Sequence, residues 1–326
     1  MAEVIERNLG LELVRVTEAA AIAAGRWMGR GDKNGSDGAA VNAMRTALAQ
    51  IEMDGVVVLG EGEKDEAPML YVGEVIGNGK PPRVDIAVDP IDGTRLLSLG
   101  MPGAIAVVAM SERGSMYGAP TGVFYMEKIV VGSGAKGAID ITSSVSANIA
   151  NVSRALGREE GDVTVMVLDR PRHETLIKEI RATGARVRLI PDGDVMGAIT
   201  AADDDTGVDM LMGTGGAPEA VVAACAIKAM GGDMQCRLYF RNDEERRNTE
   251  ASGVDIHAVL TINDLVKSDD VFFAATGITD GELLRGVRYR TDGATTDSIV
   301  MRSRSGTIRH MRTTHHQTKL ARISES

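Results

Sequence analysis

The sequence predicts a layered α/β fold, on three observations. The chain opens with two segments of helical periodicity, and short apolar runs follow that end abruptly in glycine and acidic residues. Its second half alternates strand, helix and strand in the manner of a βαβ unit. At 326 residues it exceeds what one hydrophobic core usually serves. Two subdomains are therefore expected, residues 1–157 (α+β) and 158–326 (α/β), dividing at Gly157-Arg158-Glu159-Glu160-Gly161.

Residues 9–29 read as a helix, because Leu13, Val16, Ala20, Ala23 and Trp27 recur at three- and four-residue steps. Turn-formers from Gly29 to Gly38 break it, and a second helix is expected from about Ala39 to Ile51. Val56–Leu59 reads as a strand running into Gly60-Glu61-Gly62-Glu63. In Val84–Asp89, alternation puts Val84, Ile86 and Val88 on one face and Asp85, Ala87 and Asp89 on the other, with Pro90 expected to end the strand. A short helical stretch over 95–100 is followed by strands at 104–110, 122–131 and 138–142; successive strands without helices favour antiparallel pairing. A helix at 144–156 leads to the strand–helix–strand series 163–168, 173–183 and 187–190. Then come a strand at 208–212, a glycine-rich turn, a helix at 218–230 and a charged irregular stretch at 233–253. A strand at 271–275 and a hairpin over 299–311, turning at Ser305-Gly306, complete the reading.

A net charge of −10 argues against nucleic acid or a membrane surface as the main ligand, and 3% aromatic residues leave few platforms for stacking bases. Cys225 and Cys236 give neither metal spacing nor a disulfide framework, which points to a reduced cytoplasm. The charged N-terminus lacks a signal-peptide core, and no apolar run approaches the ~20 residues of a membrane span. The segment 302–326 reverses the overall balance, with six Lys/Arg against one Glu, and reads as a final strand with a solvated tail.

Chemistry concentrates in Asp89-Pro90-Ile91-Asp92-Gly93-Thr94. Two carboxylates at the end of a buried strand are costly without a counter-charge. Asp92-Gly93-Thr94 then sits where a helix begins, with backbone amides facing an anion. Other acids stand at similar junctions: Asp37 before a helix, Glu61 after a strand, and Glu219 after Gly213-Thr214-Gly215-Gly216-Ala217-Pro218. Asp and Glu without His or Cys suit hard cations such as Mg²⁺ or Mn²⁺. Each has a bland alternative: Asp37 as a helix cap, Glu219 as a dipole partner, Glu61 in a solvated loop.

A nucleotide-cofactor site does not fit. Gly60-Glu61-Gly62-Glu63-Lys64-Asp65 lacks the third glycine and would face a pyrophosphate with glutamates, and Gly213–Gly216 fails likewise. Arg170-Pro171-Arg172-His173 and Asp192-Gly193-Asp194 end successive strands, where ligands of α/β units collect. An arginine there suits a phosphate and an aspartate suits sugar hydroxyls.

Asp89-Pro90-Ile91-Asp92-Gly93-Thr94 resembles the signature of the lithium-sensitive, metal-dependent phosphomonoesterases, which include inositol monophosphatases and fructose-1,6-bisphosphatases. Gly29–Lys33, Asp37–Val41, Gly60–Glu63 with Asp65–Leu70, Tyr125–Lys128, Arg170–His173, Pro191–Asp194 and Gly215–Glu219 together resemble the class II fructose-1,6-bisphosphatases, in order from about residue 11 to 312. The resemblance implies an αβαβα sandwich, one phosphatase unit with its active site between a metal-binding N-terminal and a substrate-binding C-terminal subdomain. It implies hydrolysis of fructose 1,6-bisphosphate to fructose 6-phosphate in gluconeogenesis. By motif position, Asp37 and Glu61 would bind one metal, and Asp89, Asp92 and Glu219 a second. Asp92, Gly93 and Thr94 would meet the scissile phosphate. Tyr125, Arg170, Pro171, Arg172, Asp192, Gly193, Asp194 and Gly216 would hold the rest of the substrate. Family members carry Asp or Glu at the position of Asp92, and the shorter side chain bears on metal occupancy there.

The expected mechanism has Mn²⁺ or Mg²⁺ neutralise the phosphate and lower the pKa of an attacking water, with the leaving alkoxide stabilised near Glu219. Thr94 paired with Asp37 orients or deprotonates that water. The alternatives are sedoheptulose 1,7-bisphosphate or an inositol phosphate as substrate, and, from another class, a phosphosugar-binding sensor without catalysis. Base rates favour a homo-oligomer.

Overall fold

The computed structural model describes residues 9–60, 70–118, 120 and 122–316. It shows mixed α/β layers in two compact units, one of residues 1–113 with 272–326 and one of residues 114–271. The division expected at residue 157 thus falls inside the second unit, whose sheet already includes Tyr125–Val131.

In the first unit an eight-stranded sheet runs Arg288–Arg290, Gly293–Arg302, Phe272–Gly277, Ile105–Glu112, Arg83–Asp92, Asp54–Leu59 and Val75–Ile76, with Thr307–His316 paired to Gly293–Arg302. Arg83–Asp92 lies parallel to Asp54–Leu59 and antiparallel to Ile105–Glu112. The helices Leu9–Gly25 and Lys33–Ala49 supply Leu13, Val16, Ala20, Met44 and Leu48 to a core shared with Val84, Ile86, Val88, Ala106 and Val108. The predicted alternation of Val84, Ile86 and Val88 therefore defines the helix-facing side of that strand. Burying each large aliphatic there contributes on the order of 1.5–3 kcal/mol. A chain of hydroxyls ties helix to sheet, Thr17 Oγ1 to Thr276 Oγ1 at 2.7 Å and Thr276 Oγ1 to Ser298 Oγ at 2.8 Å.

In the second unit a six-stranded sheet runs Leu260–Thr261, Asp233–Tyr239, Tyr125–Val131, Met210–Gly216, Thr164–Leu168 and Arg186–Ile190. The βαβ reading holds: Thr164–Leu168 and Arg186–Ile190 are parallel, with the helix Glu174–Ala182 between them in sequence. Val145–Leu156 and Glu174–Ala182 pack Ile149, Val152, Ile177 and Ile180 with Ile129, Val131, Val165 and Val167 of the sheet. The helices Asp194–Ala202 and Ala217–Met230 also pack on this sheet. The second of these is buried almost all round, from Ala220 to Ile227, as an apolar helix without a polar face must be.

Several local expectations are corrected. The first helix stops at Gly25 rather than 29. The second starts at Lys33, six residues early, because Asp32 caps it by accepting the Gly35 N–H at 2.8 Å. Residues 138–142 form no strand. Asp140 instead accepts from Thr142 N and Ser143 Oγ, while the Gln235 side chain takes the Ile139 carbonyl and the Ile141 amide. The stretch 233–253 is ordered as the strand Asp233–Tyr239 and the helix Asp243–Ala251. Met234, Cys236 and Leu238 alternate inward along that strand. The hairpin turns at Gly306 as expected, with longer arms, Gly293–Arg302 and Thr307–His316.

His173 joins two strands of the second unit. Thr214 N donates to His173 Nε2 at 2.8 Å, so the ring proton sits on Nδ1 and donates to the Leu168 carbonyl at 2.7 Å. Burial holds its pKa below the usual histidine value, and Arg172 and Arg170 push the same way. His173→Ala leaves both backbone groups without these bonds and is expected to cost about 3 kcal/mol, read as a lower denaturation midpoint in urea.

Candidate active site

The predicted residues fall into two groups, one in each unit. In the first, the strand Arg83–Asp92 does not end at Pro90. Its pairing with Ile105–Glu112 steps from Asp89↔Val107 to Asp92↔Ile105, so one extra residue bulges out between the two aspartates. A proline without an amide fits such a bulge, since no ladder donor is required there. Asp89 Oδ1 accepts the Ile91 N–H at 3.0 Å, which stabilises the turn from within. Asp92 is buried at 3% exposure. Gly93 then takes φ 93°, a left-handed conformation that drives the strand straight into the six-residue helix Thr94–Leu99.

Thr94 Oγ1 is 3.1 Å from the Ile91 carbonyl and also hydrogen-bonds the Asp37 carboxylate. Its single hydrogen can serve one acceptor at a time. Asp37 lies in the second turn of Lys33–Ala49, not ahead of the helix, and Asp32 holds the capping role instead. The preceding loop docks on the Thr94 helix, with Gly29 N–H to Leu97 O at 2.9 Å and Gly31 N–H to Ser98 O at 3.0 Å. These bonds set Asp37 against Thr94 across a gap of 57 residues. Burial raises the Asp37 pKa above the ordinary carboxylate value, opposed by the Thr94 hydrogen bond and the Lys33 charge. Glu61 lies outside the described residues.

In the second unit, Gly213–Gly216 is not a turn but the end of the strand Met210–Gly216, and Glu219 sits in the first turn of the helix that follows. The glycines are there for close approach. A Cβ at Gly215 would stand 1.7 Å from Asp194 Oδ2, and one at Gly216 would stand 1.7 Å from Glu219 Oε2. Asp194 opens the helix Asp194–Ala202 after Gly193 at φ 82°. Lys128, 2% exposed on the strand Tyr125–Val131, is hydrogen-bonded to Asp194 Oδ2. Burial disfavours its charge, but Asp194 and Glu219 together outweigh that and raise its pKa.

Arg172 stacks on the Tyr125 ring with its guanidinium carbon 5.3 Å from the centroid, and its Nε and Nη2 both donate to the Thr214 carbonyl at 3.1 and 2.7 Å. Arg170 is engaged with Asp192 at 2.6 Å and with the Pro191 carbonyl, while Pro171 opens the short 3₁₀ turn Pro171–His173. Arg172 keeps N–H groups beyond those it gives to Thr214, whereas Arg170 is paired with a carboxylate. Sequence reasoning missed two neighbours. Arg241 lies over Phe124 at 4.4 Å and Tyr125 at 5.9 Å, and nothing in its charged segment signalled that. Lys128 did leave a signal, a lysine inside the otherwise apolar run Met126 to Val131 apart from Glu127.

The candidate metal ligands are all carboxylates, which matches a hard divalent cation. The cradle at Gly216 leaves room for the Glu219 carboxylate beside the backbone. Among the described residues no three such side chains converge on one point, and the predicted set includes Glu61, which is not among them. No described helix is long and apolar enough to cross a membrane, and Cys225 and Cys236 are buried free thiols.

Comparison with known proteins places the chain among relatives of one family. The family profile described as bacterial fructose-1,6-bisphosphatase, glpX-encoded, matches residues 7–315. The chain is 47% identical to fructose-1,6-bisphosphatase 1 class 2 of Escherichia coli K12 over 325 residues, covering 96% of each chain. It is similar to the same extent to fructose-1,6-bisphosphatase class 2 of Shigella flexneri, at 47% identity and 96% coverage. A profile match across nearly the whole chain and relatives this similar end to end place the protein in the bacterial, glpX-encoded fructose-1,6-bisphosphatase family.

Proposed function

We propose that this protein hydrolyses the 1-phosphate of fructose 1,6-bisphosphate to give fructose 6-phosphate and inorganic phosphate, a gluconeogenic step carried out in the cytoplasm with Mn²⁺ or Mg²⁺. The observation that carries the reading is the Asp37–Thr94 hydrogen bond, made at the aspartate-rich strand end of a chain in this family.

Asp37, Glu61, Asp89, Asp92 and Glu219 are the residues assigned to the metal ions. Bound there, the ions would neutralise phosphate charge and make a water molecule more acidic. Thr94 accepts a proton from the attacking water as its own hydroxyl proton passes to Asp37. Asp37, hydrogen-bonded to Thr94, is the group placed to take that proton. The water oxygen forms a bond to phosphorus as the bond to the C1 oxygen breaks, and the departing alkoxide is protonated to give the free hydroxyl. Arg172, stiffened by Tyr125 and by Thr214, offers its remaining N–H groups to the distal phosphate. Asp194 faces the sugar hydroxyls, with Gly193 before it and Gly215 leaving room for its carboxylate. Asp192, paired with Arg170, orders the loop that carries both. A homo-oligomer is the expected assembly.

Thr94→Ala is expected to lower kcat about 100- to 10,000-fold with KM within about threefold, because proton transfer is lost and substrate contacts remain. Near-normal turnover in steady-state assays of released phosphate would remove Thr94 from the mechanism. Excess chelator is expected to abolish activity, and added Mn²⁺ or Mg²⁺ to restore it; full activity in chelator sinks the metal assignment. Among fructose 1,6-bisphosphate, sedoheptulose 1,7-bisphosphate and an inositol monophosphate, the first should give the highest kcat/KM. Hydrolysis of none of them by metal-loaded protein would leave a binding protein.

A further inference from the structure

We propose that Lys128 is a positioning residue that divides two carboxylates between the two ligands: it reserves Asp194 for the sugar and limits the negative charge that Glu219 presents to the metal. The inference rests on the reading of Asp194 and Glu219 given above.

Lys128 is 2% exposed, and its ammonium bonds Asp194 Oδ2. It lies mid-strand, opposite Gly213 on one neighbour and Cys236 on the other, so its backbone is fixed by ladders on both sides. The ammonium also attracts Glu219. The two carboxylates head different helices, Asp194–Ala202 and Ala217–Met230. Glycine at 215 and 216 is what lets them lie there. A side chain at Gly215 would meet both Asp194 Oδ2 at 1.7 Å and Lys128 Nζ at 3.0 Å.

A buried ion pair is neutral, and well-packed apolar residues often replace one without loss of stability. Here the same ammonium bonds Asp194 and attracts Glu219, so its charge bears on both carboxylates. A positive charge at this place also repels the metal and attracts an anionic substrate. Removing it should therefore move the two affinities in opposite directions. General loosening of the site would weaken both.

The test uses full-length protein stripped of metal, with Lys128→Met as the uncharged variant of similar length. Mn²⁺ binding is read by calorimetry, and KM and kcat for fructose 1,6-bisphosphate by phosphate release. For Lys128→Met the expected result is an Mn²⁺ dissociation constant lower by about threefold or more and a KM higher by about tenfold. Lys128→Arg, which keeps the charge, should restore Mn²⁺ binding toward that of the unmodified protein. If Lys128→Met does not fold, the double variant Lys128→Met with Asp194→Asn carries the test. It removes one charge of each sign, so Mn²⁺ binding should lie within about twofold of the unmodified protein while KM stays high. Parallel weakening of metal and substrate in either variant overturns the proposal, as does a KM unchanged within twofold. Absence of Mn²⁺ binding and of phosphate release in the unmodified protein would instead overturn the functional reading beneath it.

Discussion

Burying a carboxylate costs several kcal/mol unless a positive group answers it, and total stability is only about 5–15 kcal/mol. That constraint governs where the acids of this protein lie. Asp209 is held by Arg158 and the Thr164 amide, and Asp194 by Lys128. Glu74 meets Arg45, and Asp85 lies 3.7 Å from Arg113. Asp37 is answered more weakly, by a hydroxyl and by the charge of Lys33, and its pKa rises accordingly. A carboxylate under-supplied with positive charge attracts either a proton or a metal ion, and the proposed chemistry uses both tendencies.

Backbone irregularities do the placing. The bulge between Asp89 and Asp92 lets a strand carry two acids past a proline without losing its neighbour. Gly93 turns that strand into a helix within one residue, which brings Thr94 to the same locality as the Ile91 carbonyl. The docking of Gly29 and Gly31 on Leu97 and Ser98 sets the height of Asp37. In the second unit, Gly215 and Gly216 replace side chains with room for the Asp194 and Glu219 carboxylates. Each device sacrifices regular pairing or a packed side chain at the place where a ligand is expected, a pattern common at functional sites.

Much of the local structure was legible. The 3–4 spacing of Leu13, Val16 and Ala20 located the first helix, and the alternation of Val84, Ile86 and Val88 located the helix-facing side of the central strand. Two of the misreadings share one cause, polar side chains bonding to backbone in place of regular ladders. Asp32 started a helix early, and Asp140 with Gln235 turned an expected strand into a series of turns. Gly213–Gly216 read as a turn because glycine usually marks one, whereas here it makes space inside a strand.

The sequence by itself determined the layered α/β class, the acidic junctions and the family resemblance, because periodicity and motif order are properties of the chain. It named Thr94 and Asp37 as partners without giving a reason for them to meet. Only the tertiary structure decided that pairing, through loop contacts that no spacing encodes. It also separated Arg170, engaged with Asp192, from Arg172, stacked on Tyr125. The pairing of Lys128 with Asp194 was decided there too. A lysine in a strand is ambiguous until the elements packed on it are known, since burial and counter-charge come from residues far away in the chain.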